Sequence, residues 1–136
     1  MNTLSDKLDA FSLELGIKVL ETRPDFCRVI LQYKPTICTA GGTIHGGAIA
    51  TLIDTTGVLA AWSGASTQVT RGATATLSVS YLSAANSTDL IAEGTVMRRG
   101  RSLVFVDIDV RSSDAKHIAK GILTYKFGYD STTQPR

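Results

Sequence analysis

The segment from His45 to Trp62, HGGAIATLIDTTGVLAAW, holds one carboxylate, Asp54, among glycines, alanines, threonines and aliphatic residues. An aspartate inside a helix is unfavourable by propensity, and burial without a partner makes it costlier. A purely structural role would require a hydrogen bond inside the helix. The functional reading is a carboxylate held in an apolar cleft. Desolvation there makes it a stronger base, able to abstract a proton or attack an electrophile near neutral pH. The start of the segment supplies a second element. Gly46 and Gly47 stand where a helix leaves backbone N–H groups unpaired and places partial positive charge. With no side chain in the way, a ligand carbonyl can approach those groups closely, which is the chemistry of an oxyanion hole.

His45 has two readings, a structural residue bonded to the preceding loop or a group that polarises a carbonyl. Cys38 paired with His45 as a nucleophile is the weaker idea, because cysteine is commonly a small buried hydrophobe. Arg98, Arg99 and Arg101 form the densest positive cluster, read either as a solvated hairpin tip or as a phosphate clamp.

These groups need elements to position them. Ile49, Leu52, Ile53, Thr56 and Ala60 share one face at helical spacing, and Asp54 falls roughly 140° from Ile49. Around Asp54 lie Gly47, Ala50, Val58 and Ala61, so the helix is apolar on all sides and belongs in an interior. Gly47 and Asp54 are about 10 Å apart along such a helix, too far to act on one carbonyl. Two antiparallel copies across a dimer interface would bring Gly46 of one to Asp54 of the other.

Upstream, Leu4, Leu8, Phe11 and Leu15 fit a short amphipathic helix, with Ser5 or Thr3 as its cap and Gly16 at its end. "IKVLETR" and "FCRVILQY", with Pro24 and Asp25 between them, read as a hairpin. "KPTICTAGGTI" reads as a loop. After the central helix come four strand-like runs, "TATLSVSYL", "LIAEGTVMRRG", "SLVFVDIDVRS" and "HIAKGILTYKFGY". A central apolar helix with antiparallel strands gives an α+β class. Residues 1–128 form a single domain, and 129–136 read as a disordered tail.

Composition narrows the function. Of 136 residues, 43% are hydrophobic and the net charge is +2, which suits one core and gives no strong field for nucleic acid. Two separated cysteines and two distant histidines offer no metal-ligand spacing. No apolar run is long enough to span a membrane, and the polar start does not read as a secretory signal. The expectation is a cytoplasmic protein.

The run "GGTIHGGAIATLIDTTG" resembles the signature of hotdog-fold acyl-CoA thioesterases of the PaaI type, with HGG at the helix start and an acidic residue nine positions after the histidine. The likeness continues through "TATLSVSYLSAA", "RRGRSLVFVDIDV" and "AKGILTYKF", roughly residues 16 to 128. It implies a sheet wrapped around the helix, a homodimer with sites at its interface, and pairing of dimers into a homotetramer. It implies hydrolysis of an acyl-CoA with no cofactor, coenzyme A being part of the substrate. Asp54 would activate water or attack the thioester, the Gly46 N–H would polarise the carbonyl, and His45 would hold the helix start. Thr74 matches a hydroxyl position of the family. Gly47, Arg99, Arg101 and Ser102 fall where relatives contact substrate. One departure is Thr39, where many relatives carry Asn or Gln; its shorter reach predicts a slower enzyme or a shifted substrate. The rival readings are an acyl-CoA-binding module without turnover and a hotdog hydratase, the latter weakened by the lack of a histidine on the Asp54 face.

Overall fold

The computed structural model describes residues 8–130. Its elements are α1 (Ala10–Leu15), β1 (Ile17–Arg23), β2 (Phe26–Leu31), a 3₁₀ turn (Pro35–Ile37), α2 (Gly46–Ser63), β3 (Val69–Tyr81), β4 (Leu90–Arg99), β5 (Leu103–Ser112) and β6 (His117–Tyr129). The strands form one antiparallel sheet in the order β1-β2-β4-β5-β6-β3. The strand that follows α2 therefore crosses to the far edge and pairs with the last strand. Helix α2 lies against one face of this sheet, the hotdog arrangement.

Strand alternation sets the interface. Val104, Val106, Ile108 and Val110 of β5 point to α2 and are fully buried, while Asp107 and Asp109 point outward. Phe105, which blurs the alternation in sequence, lies on the outer face with the aspartates and is half-buried. From α2, Leu52 and Ile53 are completely buried, each contributing about 1.5–3 kcal/mol. Two sheet glycines let the helix come close. A Cβ at Gly121 would lie 2.3 Å from Ile53 Cγ2, and one at Gly94 would lie 3.2 Å from the Thr56 carbonyl oxygen.

Helix α1 is shorter than its apolar spacing suggests. Asp9 caps it, its carboxylate accepting from the Ser12 N–H at 3.1 Å, and Gly16 ends it at φ 102°. Leu4 and the proposed caps Ser5 and Thr3 lie outside the described residues. Phe11 is 62% exposed, and Ser12 is the residue turned inward, its hydroxyl 3.1 Å from that of Thr55 on α2. One and a half turns are too few to bury a full apolar stripe, so contact with α2 decides which side faces in.

Strand β3 begins at Val69, earlier than the alternation of "TATLSVSYL" indicates. Gly72 hides this, and its missing side chain makes room for the Tyr125 ring, which a Cβ would approach to 2.3 Å. At the other end, β6 runs through Tyr129. That side chain is buried and donates to the Arg101 carbonyl at 2.5 Å, so ordered structure passes the expected boundary at 128. Residues 131–136, most of the expected tail, lie outside the described residues.

Gly121→Ala should lower unfolding free energy by about 1–3 kcal/mol, because the added methyl meets Ile53 in a filled core. Urea denaturation of the variant beside wild type measures it.

Candidate active site

Asp54 sits at the middle of α2 and is half-buried, with one side toward β3. Its Oδ1 accepts a hydrogen bond from the Thr74 hydroxyl at 2.8 Å. This contact joins the one carboxylate of the helix to the edge strand. A bulge between Thr74 and Thr76 marks the same point of β3. Opposite Thr74 on β6 is Tyr125. Its hydroxyl accepts from the Trp62 indole N–H at 3.0 Å, and Trp62, Tyr125 and Phe127 pack edge to face. Burial pushes the Tyr125 phenol up; the Trp62 bond opposes this, and the Asp54 charge adds a still smaller push upward. Tyr125 is thus held as a neutral hydroxyl beside the carboxylate.

The other end of α2 is built differently. His45 is the N-cap, its Nδ1 accepting from the Gly47 N–H at 2.8 Å, so the neutral ring carries its proton on Nε2. The ring thus bonds its own helix rather than the preceding loop, and its Nε2 side is left exposed. The Gly47 N–H is consumed by that cap. The His45 carbonyl accepts from Ala48 and Ile49. The Gly46 N–H has no acceptor among the described residues, so of the two glycines it is Gly46 that offers a donor. The Tyr81 hydroxyl, from the end of β3, donates to the Gly46 carbonyl at 2.8 Å. Gly46 and Asp54 are eight residues apart, about 12 Å along the axis, so one chain does not bring them to a common atom.

Thr39 lies in the exposed turn before α2, its N–H donating to Thr43 at 2.7 Å and its carbonyl accepting from Gly42 at 3.0 Å. Its hydroxyl makes no bond to the Asp54–Thr74 pair. Cys38 stays by its own turn, its thiol 3.7 Å from the Lys34 carbonyl, with no bond to His45. Cys27 is fully buried, and burial pushes its thiol up to about 12. Among the described residues no group of histidine, cysteine and carboxylate side chains has metal-binding geometry.

The arginines divide. Arg99 is committed inside the chain, with Nε and Nη2 on Asp25 Oδ1 at 3.0 and 2.7 Å and Nη2 also on the Ala61 carbonyl at 2.9 Å. It closes the C-terminal end of α2, where a cation complements the helix dipole. Ser63 joins this clamp by accepting from the Asp25 N–H at 3.0 Å. Arg101 remains at the surface, its guanidinium 4.4 Å over the Tyr129 ring. It lines a cleft of about 280 Å³ with Ser66, Val69, Gly100, Phe127, Tyr129 and Arg99 itself. Ser102 contributes its carbonyl to the Phe127 N–H at 2.7 Å. Sequence alone offers Tyr81, with Trp62 and Phe105, as a pocket-lining side chain or, more simply, as core, and gives Tyr125 no role. Both tyrosines fall on the alternation of strands, and nothing in that pattern distinguishes a core tyrosine from one bonded at a site.

The fold and this helix-borne carboxylate define a hotdog domain of the thioesterase kind. The sequence model of the thioesterase superfamily matches residues 41–119, and the chain belongs to that family. A protein of Saccharolobus solfataricus, provisionally named an esterase, is 33% identical over 118 residues, covering 85% of this chain and 81% of its own. The PaaI protein from the phenylacetic acid degradation operon of Escherichia coli superposes with a TM-score of 0.82 at 20% identity, covering 90% of this chain and 88% of that one. A hypothetical thioesterase of Streptococcus pneumoniae, solved with coenzyme A, gives 0.76 at 22% identity, covering 84% and 87%. At these identities the two structures speak for the fold.

Arg99→Ala should cost about 1–3 kcal/mol in chemical denaturation, since it strips charged hydrogen bonds from Asp25 and the helix end. A thiol reagent should titrate Cys38 rapidly in native protein and reach Cys27 only after unfolding.

Proposed function

We propose that the chain hydrolyses an acyl-CoA thioester to a free acid and coenzyme A, working as a homodimer. The observation that carries this is the Asp54–Thr74 hydrogen bond, a half-buried carboxylate on an apolar helix held toward an edge strand. The open Gly46 N–H supports it as the donor for a developing oxyanion. Because 12 Å or so of helix separates the two groups, the second one comes from another copy. Strand β3 is the element for that contact: thirteen residues long, at a sheet edge, with most of its side chains exposed. Pairing along β3 makes the dimer, and two dimers assemble into a homotetramer.

In the reaction, a water oxygen attacks the thioester carbonyl while Asp54 takes its proton. The Gly46 N–H of the other copy stabilises the tetrahedral oxyanion. Collapse breaks the C–S bond, and the leaving thiolate recovers the proton from Asp54. The Thr74 hydroxyl occupies Oδ1 and so orients Oδ2 toward the water. Direct attack by Asp54 is the variant path. It forms a mixed anhydride as the C–S bond breaks and the thiolate leaves; water that opens the anhydride at the Asp54 carbonyl places solvent oxygen in that side chain, and the proton it gives up goes to the thiolate. The acyl-CoA ligand is supported by the bound coenzyme A of the pneumococcal neighbour. Arg101, rather than the committed Arg99, is the cation suited to a phosphate of coenzyme A, with Ser102 next to it. A substrate of this kind fits a cytoplasmic setting and calls for neither metal nor cofactor.

Thiol release from a panel of acyl-CoAs tests the reading. Wild type should turn over, Asp54→Asn should lower kcat at least about a hundredfold, and Thr74→Val about tenfold. Binding of acyl-CoA without thiol release would instead make the chain a ligand-binding module.

A further inference from the structure

Along β6 the side chains that face α2 change character partway. Ala119, Gly121 and Leu123 are followed by Tyr125, Phe127 and Tyr129, all buried. The aromatic half begins opposite Thr74, the partner of Asp54, and ends at Tyr129, beneath the Arg101 guanidinium. At about 3.4 Å per residue it covers roughly 14 Å. Phe127 and Tyr129 line the Arg101 cleft. Tyr125 connects that cleft to the carboxylate, packing on Phe127 at 5.1 Å between ring centroids and pairing with Thr74 across the strands.

What packing does not explain is the donor side of the Tyr125 hydroxyl. The residue is 5% exposed. Its oxygen accepts from the Trp62 indole N–H at 3.0 Å, which fixes that oxygen in place, while its own O–H meets no acceptor among the described residues. Burying a hydroxyl with its donor unused is costly. The place is also kept clear for it, since a Cβ at Gly72 would come within 2.7 Å of the hydroxyl oxygen. The hydroxyl therefore lies over β3, the strand that carries Thr74, and it feels the Asp54 charge. Burial keeps the phenol protonated, so it offers a hydrogen bond and holds on to its proton. In the proposed reaction the thioester carbon meets Asp54, its oxygen meets the partner's Gly46 N–H, and the coenzyme A arm runs toward Arg101. The first atom of that arm is the sulfur, which falls on the Tyr125 side of Asp54.

We propose that Tyr125 is a further catalytic residue, its O–H donating a hydrogen bond to the sulfur as the C–S bond breaks. This rests on the hydrolase reading and on the coenzyme A arm lying toward Arg101. A thioester sulfur is a poor acceptor and a thiolate a good one, so the bond strengthens toward the transition state and acts on kcat. The sulfur leaves with the bonding electron pair and takes its proton from Asp54, while Tyr125 keeps its own. The test compares wild type with Tyr125→Phe, which keeps the ring and removes the hydroxyl. Gly72→Ala, which keeps the hydroxyl and pushes it aside, carries the same readouts should the first variant fail to fold. Steady-state hydrolysis is measured on the best acyl-CoA of the panel. The thiol of bound coenzyme A is titrated through the ultraviolet band of its thiolate, with protein in excess. Each variant should lower kcat about tenfold and leave KM within about twofold. The bound thiol should ionise at about a tenfold lower proton concentration than in wild type, because its thiolate has lost a donor. Wild-type kcat in Tyr125→Phe would overturn the role of Tyr125 and leave the hydrolase reading standing. So would a fall in kcat with an unmoved thiol titration, the result expected if the O–H bonds the partner's backbone along β3 instead. A wild type that releases no thiol would overturn both.

Discussion

Everything in this domain depends on how closely α2 can lie on the sheet. A helix carrying bulky residues all round would stand off the strands and leave Asp54 in open water. Here the sheet yields at Gly121 and Gly94, and the helix yields at Gly57, where a Cβ would meet Leu123 at 2.9 Å. The resulting contact buries Leu52, Ile53, Leu59 and Ala60 together. It also fixes the helix rotation, and with it the side on which Asp54 emerges. That side is flanked by β3, whose Thr74 is the carboxylate's hydrogen-bond partner. Packing thus decides which strand bonds the carboxylate.

The same closeness sorts the polar groups. Thr56, fully buried, returns its hydroxyl to the Leu52 carbonyl at 2.7 Å, and among the described residues no buried side-chain nitrogen or oxygen lacks a partner. Outward-facing charges pair across strands, as Arg28 with Glu93 at 2.8 Å and Lys120 with Asp107 at 2.5 Å. They keep the outer face polar at little net energy, as exposed pairs do. Asp54 also stays on the helix side, where the Thr74 hydroxyl bonds it and the Tyr125 phenol feels its charge.

Much of this was legible in the sequence. The apolar spacing of Ile49, Leu52, Ile53 and Thr56 located the helix, and period-two alternation located the strands. The HGG start and the lone aspartate marked the capped start of the helix and the carboxylate that bonds the edge strand. Other features depend on contacts between distant segments and leave no local pattern. The crossing of β3 to the far edge is one. The commitment of Arg99 is another, because Asp25 is 74 residues away and Arg99 looks no different in sequence from Arg101. Likewise, the spacing of Gly46 and Gly47 is symmetrical, and only the turn of the His45 ring selects one N–H. At α1 the pattern holds in part: Leu8 and Leu15 pack against the core, while Phe11 is exposed and Ser12 turns to α2.

Helix α2 ends in two different ways. Its C-terminal end is clamped by Arg99, Asp25 and Ser63, and a Cβ at Gly64 would come within 2.3 Å of the Asp25 carboxylate. Its N-terminal end is two glycines, a histidine cap and one exposed tyrosine. The stability of the helix is invested at the end away from the open donor. Mutation can therefore work on the donor end, moving an N–H by fractions of an ångström, while the fold stays anchored elsewhere. The helix thus has an adjustable end to change and a fixed end to keep.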